Sequence, residues 1–171
     1  MSPSLITFDK RVNYYVGIDP GQSGGLACLD SYGQVVKCDK MPTTDRDMLN
    51  WFTELPDGII RAMIEHVSAM PGQGVSSTFK FGVGYGKLLM ALTAANIPYI
   101  AVVPSKWQKL LGVPSRKKSG GLTKTEHKNR LKGMAQRLFP HQKITLATAD
   151  ALLIAYHCYT TWELPPDPRC K

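Results

Sequence analysis

Hydrophobic residues cluster in five short runs along the chain, and each run predicts a β-strand. The first run, 12–18, is rich in β-branched and aromatic residues, and Asp19 follows it directly. A turn at 20–25 comes next, and we expect its three glycines to supply unusual backbone angles before a second strand at 26–29. The other strands are predicted at 34–38, 59–67 and 99–103. The first three strands predict an antiparallel meander, and the last two a parallel pair joined by a helix.

Apolar residues at helical spacing predict five helices between and after these strands. The first is capped by Thr43 or Thr44 and stopped by Pro56. The others are predicted at 78–95 with a cap at Ser76 or Ser77, from a capping box at 104–108 to Leu111, at 123–138, and from Leu146 or Thr148 to 161. The pattern therefore predicts one α/β domain over 1–171, with loose termini at 1–11 and 162–171.

Three acidic residues stand at ends of these predicted elements. Asp19 follows the first strand, Glu65 ends the fourth, and Asp150 lies in the predicted first turn of the last helix, where a capping or dipole role is the alternative. Buried carboxylates that converge repel one another and need a compensating cation. Mg²⁺ prefers oxygen ligands and also binds phosphate oxygens. The acids therefore predict two Mg²⁺ per site, replaceable by Mn²⁺, and hydrolysis of a phosphodiester.

Positive charge is concentrated in one part of the sequence. The 171-residue chain has a net charge of +8, yet 105–143 alone holds eleven Lys or Arg against one acid, a net +10. Lys and Arg that neutralise phosphates gain free energy from counterion release, so this segment predicts a nucleic-acid surface, with a solubilising loop as the alternative. The predicted nucleic-acid-binding residues are Ser105, Lys106, Arg116, Lys117, Lys118, Lys124, Lys128, Arg130 and Lys132.

The sequence predicts an intracellular protein that does not enter membranes. No apolar stretch approaches the roughly 18 to 20 residues of a membrane span, and 1–10 does not read as a signal peptide. The four cysteines, Cys28, Cys38, Cys158 and Cys170, lack metal-ligand spacing, and we expect reduced and mostly buried thiols. In a bacterium or phage, the expected location is the cytoplasm or nucleoid.

Five blocks of the sequence resemble, in order, the signature blocks of RuvC-like Holliday junction resolvases. They are 17–21, 62–65, 81–86, 103–106 and 149–155. The turn at 23–25, the Gly-Tyr-Gly at 84–86 and the ending at 138–140 resemble the phage and chloroplast branch. The resemblance implies a ribonuclease H-like fold with a central mixed five-stranded sheet flanked by helices. It also implies a homodimer that makes paired, metal-dependent nicks in four-way DNA junctions.

Matched position by position to the family's signature blocks, the resemblance implies that Asp19, Glu65 and Asp150 bind metal. It also implies that Lys128 assists near the scissile phosphate. Two positions depart from the family pattern. Ala147 stands where a fourth acid or a His is usual, and Ser68 stands where many members place a bulky residue that intrudes at the junction centre. Candidates for the fourth ligand are His141, Thr148 and His157, and candidates for the intruding residue are Met70 and Phe79.

Three other readings of the sequence stay open at this stage. A ribonuclease H-like enzyme that cuts flaps or RNA–DNA hybrids would use the same acids and the same basic segment. A DNA-binding domain without catalysis would explain the charge, but it would leave the three acids as coincidences. The Asp-Pro-Gly hairpin also opens sugar kinases and related ATP-binding proteins, which need two copies of such a fold and hence a longer chain.

Overall fold

A five-stranded sheet with helices on both faces forms the protein. The computed structural model describes residues 12–68, 72, 74–113 and 121–163. The strands are β1 (Asn13–Asp19), β2 (Gly25–Asp30), β3 (Val35–Lys40), β4 (Ile59–Glu65) and β5 (Tyr99–Val102). The helices are α1 (Asp45–Thr53), α2 (Val75–Ala94), α3 (Pro104–Leu110), α4 (Lys124–Leu138) and α5 (Leu146–Trp162). Predictions that fall outside the described residues concern Met70, Arg116, Lys117, Lys118, Cys170, and the termini 1–11 and 164–171.

The strand order is β3-β2-β1-β4-β5, which confirms the predicted mixed sheet. β1 pairs antiparallel with β2, and β2 with β3, as the predicted meander requires. β1 and β4 are parallel, and so are β4 and β5. Parallel strands end at the same edge of a sheet, so β1, β4 and β5 all finish at what we name the site edge.

Two hydrophobic cores cover the two faces of the sheet because strand side chains alternate between them. Tyr15 and Met63 pack on one face with α4 and α5, which we name the α4–α5 face. Val16 and Ile64 pack on the other with α1 and α2, the α1–α2 face. Among the described helices, none is long and apolar enough to cross a membrane.

The last helix is tied to the start of β1 at the end of the sheet opposite the site edge. Glu163, which follows α5 directly, accepts hydrogen bonds from the Tyr15 hydroxyl and from Asn13 Nδ2, the latter at 3.2 Å. Trp162 is still helical. Within the predicted loose terminus at 162–171, Trp162 ends the helix and Glu163 makes these contacts, and the prediction for 164–171 stays untested.

Two predicted helix starts are wrong because the backbone begins these helices without a capping side chain. The N-cap of α2 is Gly74, so Ser76 and Ser77 lie inside the first turn rather than before it. The N-cap of α3 is Val103, which offers no side-chain acceptor, and Pro104 occupies the first turn. The predicted capping box at 104–108 is therefore absent.

The strand β5 is the outermost strand on one side of the sheet, where we expected a buried strand. Tyr99 and Ile100 are 38% and 46% exposed, and only Val102 is buried. A short apolar run predicts a strand, but it does not say how many neighbours that strand has. Here β4 is the one described partner, which leaves one side of β5 open.

Candidate active site

Two carboxylates lie side by side at the site edge because two parallel strands end there. Asp19 is the last residue of β1 and Glu65 the last residue of β4. The register pairs Ile18 with Ile64, so the two acids follow a matched pair of residues. The sequence predicted both positions, and the pairing brings them together across 46 residues of chain.

A missing side chain lets α5 lie directly on β1. A Cβ atom built at Gly17 would sit 2.1 Å from Ala155 N and 2.2 Å from Ala151 O, far closer than any real contact. Gly17 and the small residues of α5 thus allow the helix backbone to touch the strand. This close packing carries Asp150, one residue before Ala151, to the acids at the site edge.

Asp150 is deeper in its helix than the sequence predicted. The helix α5 begins at Leu146, with a capping box in which Thr145 and Thr148 exchange side-chain and backbone hydrogen bonds. Asp150 is therefore the fifth helical residue, and the first turn contains no acid. The capping or dipole role that we kept as an alternative is contradicted, because those effects fade beyond the first turn.

The turn after Asp19 is shaped by close contacts rather than by unusual backbone angles. Gly21, Gly24 and Gly25 are absent from the glycines with positive φ, so that expectation is wrong. A Cβ built at Gly24 would lie 2.3 Å from Asp19 O and 2.7 Å from its carboxyl carbon. The Gly21 amide donates a hydrogen bond of 3.3 Å to Asp19 Oδ1. The glycines let the turn fold onto the Asp19 carboxylate.

Burial raises the pKa of all three acids, and the charges of neighbouring acids add to this effect for Glu65 and Asp150. Burial is the largest cause for Glu65, whose pKa rises to about 7, and the charges of Asp19 and Asp150 add to it. Burial, followed by the charge of Asp19, raises the pKa of Asp150 to about 6. Burial also raises the pKa of Asp19. The acids are thus close enough to repel one another and lack enough positive charge to offset that repulsion.

Lys128 is the cation that faces this cluster. It lies in the second turn of α4 and its charge lowers the pKa of Asp19, Glu65 and Asp150 alike. The helix is positioned by a capping box between Thr123 and Glu126 at its start. Among the described residues, one lysine against three carboxylates leaves the cluster with a net negative charge.

Trp107 is a site residue that the sequence analysis missed. Its ring is fully buried in the core of the α4–α5 face, and its Nε1 donates a hydrogen bond of 3.2 Å to Glu65 Oε1. This bond lowers the Glu65 pKa against the stronger effect of burial. The two residues are 42 positions apart, so no local pattern in the sequence links them. Trp107 holds one carboxylate oxygen and leaves the other for a ligand.

Three residues were predicted as substitutes for the missing fourth acid. In the described part of the chain, no contact that we describe joins any of them to the cluster of acids. His141 lines a cavity with Gly33 and Gln34 at the β2–β3 turn, the end of the sheet opposite the site edge. Thr148 uses its hydroxyl in the α5 capping box. His157 is buried two turns along α5 from Asp150, about 10 Å by helix geometry, where burial lowers its pKa.

The donor set suits a divalent cation, although the ligands are not gathered in advance. Over residues 12–68, 72, 74–113 and 121–163, no group of three or more His, Cys, Asp or Glu is close enough to hold a metal ion as it stands. The donors nevertheless fit Mg²⁺ or Mn²⁺, since they are carboxylate oxygens whose raised pKa values reflect uncompensated negative charge. A bound cation would remove that repulsion.

The predicted nucleic-acid-binding residues that the structure describes lie on α3 and α4. Lys124, Lys128 and Lys132 repeat every four residues and so share one side of α4, whereas Arg130 projects from another side. Ser105 and Lys106 are exposed in the first turn of α3. Among the positions considered for the junction centre, Ser68 is exposed and Phe79 is 71% exposed on α2.

The fold is ribonuclease H-like and is similar to the fold of solved RuvC structures. A Thermus thermophilus RuvC structure matches 88% of this chain and 95% of its own, with a TM-score of 0.58 and 19% identity. T. thermophilus RuvC in complex with a Holliday junction substrate matches 88% of this chain and 94% of its own, with a TM-score of 0.61 and 17% identity. No protein-family model matches the chain, and no curated protein matches it significantly. The predicted fold is confirmed, and the phage or chloroplast branch stays a prediction.

Replacing Trp107 with Phe tests whether its N–H group orients Glu65. We expect Trp107→Phe to keep the ring packing, to reduce metal-dependent cleavage about tenfold, and to raise the Mg²⁺ concentration needed for half-maximal rate. Trp51→Phe is the matched control. Trp51 Nε1 donates a hydrogen bond of 2.9 Å to Asp39 Oδ2, and neither residue belongs to the cluster of acids. Equal Mg²⁺ titration curves for Trp107→Phe and the wild type would show that Trp107 only packs.

Proposed function

We propose that this protein is a metal-dependent endonuclease that resolves four-way DNA junctions as a homodimer. The observation that carries the proposal is the convergence of Asp19, Glu65 and Asp150, from three separate elements, beside Lys128 at one edge of a RuvC-like sheet. The similar RuvC was solved with a Holliday junction substrate, which supports branched DNA as the ligand. The three carboxylates distinguish this proposal from a binding domain without catalysis.

Each residue of the cluster has a proposed part in the reaction. Asp19, Glu65 and Asp150 would hold the divalent cations, which when bound supply activation of the attacking water and stabilisation of the leaving oxygen. Trp107 keeps Glu65 oriented. Lys128, whose charge already acts on the three acids, would neutralise the scissile phosphate. The partial burial of the acids keeps their electrostatic effects strong.

The DNA would cross the site edge and the side of α4 that carries lysines. Lys124, Lys128 and Lys132 form a line along this helix, and Lys106 adds a charge from α3. The net charge of +10 on 105–143 supports a phosphate-binding surface. Arg116, Lys117 and Lys118 lie outside the described residues and stay predicted DNA-binding residues.

A homodimer is proposed because α2 has an apolar side that the described chain does not cover. Val75, Phe79, Val83 and Met90 fall within one arc of the helix and are 87%, 71%, 43% and 66% exposed. Cβ atoms built at Gly82, Gly84 and Gly86 meet nothing within 4 Å. The alternative that these glycines pack against their own sheet is therefore wrong. A junction has two equivalent strands to cut, which favours a two-fold partner.

The proposed function is tested by comparing substrates in one assay. Purified protein with Mg²⁺ should cut a four-way junction into paired nicked duplexes much faster than it cuts a flap or an RNA–DNA hybrid. Mn²⁺ should replace Mg²⁺, and EDTA should stop the reaction. Preferential cutting of the flap or the hybrid would assign the enzyme to another ribonuclease H-like activity, and binding without cutting would remove the enzyme assignment.

Lys128 should matter more for cutting than for binding. We expect Lys128→Ala to lower the single-turnover rate about 100-fold, since it removes the cation beside the reacting phosphate, while junction affinity changes less than about threefold. Lys132→Ala is the control on the same side of α4, and it should weaken binding with little change in rate. If Lys128→Ala lowered the cleavage rate and the junction affinity by equal factors, Lys128 would be an ordinary phosphate contact.

The dimer prediction has its own test on α2. We expect Met90→Glu to convert a dimer into monomers in light scattering, because it places a charge in an apolar interface. On a supercoiled cruciform plasmid, the product should change from linear DNA to nicked circles. Tyr32→Glu, at an 80% exposed aromatic residue of the β2–β3 turn, is the control and should stay dimeric. A monomeric wild type would contradict the prediction.

A further inference from the structure

The end of β3 places a positive charge at the site edge. Lys40 is the last residue of this strand and is exposed, and it lies outside the basic segment 105–143. The register pairs Lys40 with Gly25 on β2, and Gly25 with Asp19 on β1. Neighbouring strands are about 4.8 Å apart, so the backbones of Lys40 and Asp19 are about 10 Å apart. Lys40 therefore ends only two strands away from the first of the three acids.

The side chains of Lys40 and Asp19 project to the same face of the sheet. Ile18 packs in the core of the α1–α2 face, so the next side chain along β1, Asp19, belongs to the α4–α5 face. On β3, Asp39 accepts a hydrogen bond from Trp51 of α1, so the next side chain, Lys40, points away from α1. Residues directly opposite one another on neighbouring strands share a face, which agrees with this placement.

The backbone between Lys40 and Asp19 carries no long side chain. Gly25 stands between them in the sheet, and a Cβ atom built there would lie 2.7 Å from Ala147 O at the start of α5. The first turn of α5 thus lies against Gly25, and its residue at this contact has only a methyl group. Neither Gly25 nor Ala147 brings a negative charge to the space beside Lys40.

Lys40 has no acidic partner among the described residues. Three acids border a cavity of about 430 Å³ beside it, between β3 and α1, and they are Asp39, Asp47 and Glu54. Their carboxylates contact, respectively, Trp51 Nε1 at 2.9 Å, Thr44 Oγ1 at 2.7 Å and Lys37 Nζ at 3.2 Å. Within residues 12–68, 72, 74–113 and 121–163, no carboxylate forms an ion pair with Lys40. Its charge is available to an anionic ligand.

Lysines stand at both ends of the site edge, with the acids between them. Lys106 is exposed in the first turn of α3, which follows β5, and Lys40 ends β3 on the other side of the sheet. A DNA strand that runs along this edge would meet a lysine on either side of the phosphate held at Asp19 and Glu65. Stacked nucleotides advance about 3.4 Å each, so about 10 Å corresponds to at most three nucleotides of one strand.

We propose that Lys40 binds a phosphate of the cleaved DNA strand within three nucleotides of the cut, on the side of the acids opposite Lys106. The proposal rests on the proposed nuclease function. It adds a positioning residue from a part of the chain that has no excess of basic residues, and it gives the strand a direction across the ends of β3, β2, β1 and β4. An exposed ammonium group suits this part because it binds phosphate as a point charge.

The salt dependence of junction binding in EDTA tests the proposal. We expect Lys40→Gln to flatten the slope of log affinity against log salt by about 0.9 and to weaken binding about threefold to tenfold, since one phosphate contact is lost. Lys40→Arg should behave like the wild type. Lys37→Gln is the matched control: it removes the same charge from the same strand, but Lys37 Nζ lies 5.2 Å from the Trp51 ring centroid on the α1–α2 face. An unchanged slope in Lys40→Gln, or an equal change in Lys37→Gln, would overturn the proposal.

A second measurement locates the contact and separates it from the function on which the proposal rests. Each phosphate near the junction centre is replaced in turn by an uncharged methylphosphonate. We expect one position at which the wild type loses affinity about threefold and Lys40→Gln loses none. A wild type that cuts junctions but shows the same pattern as Lys40→Gln at every position would overturn the Lys40 contact alone. The expected pattern without any cleavage in Mg²⁺ would overturn the nuclease and keep the phosphate contact.

Discussion

Asp19→Asn, Glu65→Gln and Asp150→Asn should each lower junction cleavage by roughly 1,000-fold or more, while junction binding stays equal or becomes tighter. Each change removes one carboxylate from a set of three whose charges affect one another. The lysine side of α4 is untouched, and one less negative charge near the phosphates favours DNA. Loss of cutting without loss of binding is therefore the expected signature.

Single-turnover cleavage in Mg²⁺ and competition binding in EDTA measure the two quantities separately. Asp57→Asn is the matched control, because Asp57 is exposed in the turn before β4, at the opposite end of the sheet. It should cut and bind like the wild type. If any of the three variants retained a rate near that of the wild type, that residue would not be a ligand, and two such variants would end the proposed mechanism.

The sequence predicted the part of the site that depends on where strands end. Asp19 and Glu65 follow apolar runs that can be read locally, and two parallel strands bring such residues to one edge whatever the rest of the chain does. Gly17 and Ala155 lie in the sequence blocks 17–21 and 149–155, but their contact, which positions α5, is visible only in the folded chain.

The parts that the sequence did not predict depend on contacts between distant residues. Trp107 looks like an ordinary core residue in the sequence, and its role appears only when α3 packs against α5 and the Trp107 N–H group meets Glu65. His141 is close to Ile144 and α5 in sequence, yet the length of α4 places it at the other end of the sheet. The start of α2 at Gly74 depends on the backbone alone, because no capping side chain marks it.

The raised pKa values imply that the ionised acids lower the folding stability of the metal-free protein. Glu65 has an ordinary pKa of 4.5 and a folded-state pKa of about 7, so the folded protein binds more protons than the unfolded chain between these values. Stability must therefore fall as the pH rises from about 4.5 to about 7, and the deficit is fully present above pH 7. Asp150, with a pKa of about 6, acts in the same direction.

Glu65→Gln should consequently stabilise the metal-free protein at pH 8 by roughly 2 kcal/mol relative to its effect at pH 5, because the amide cannot ionise and still accepts the Trp107 hydrogen bond. Urea unfolding in EDTA at both pH values measures this difference. Glu54→Gln is the control: Glu54 makes an exposed ion pair of 3.2 Å with Lys37, so its loss should change stability by less than about 1 kcal/mol at either pH.

Added Mg²⁺ provides the opposite half of the same test. It should stabilise the wild type at pH 8 more than at pH 5, where protons compete for the carboxylates, and it should stabilise Glu65→Gln far less. This readout needs neither DNA nor cleavage, so it examines the carboxylate cluster apart from the nuclease assignment. Equal stability of the wild type and Glu65→Gln at pH 8, with no response to Mg²⁺, would show that the three acids do not form one electrostatic unit.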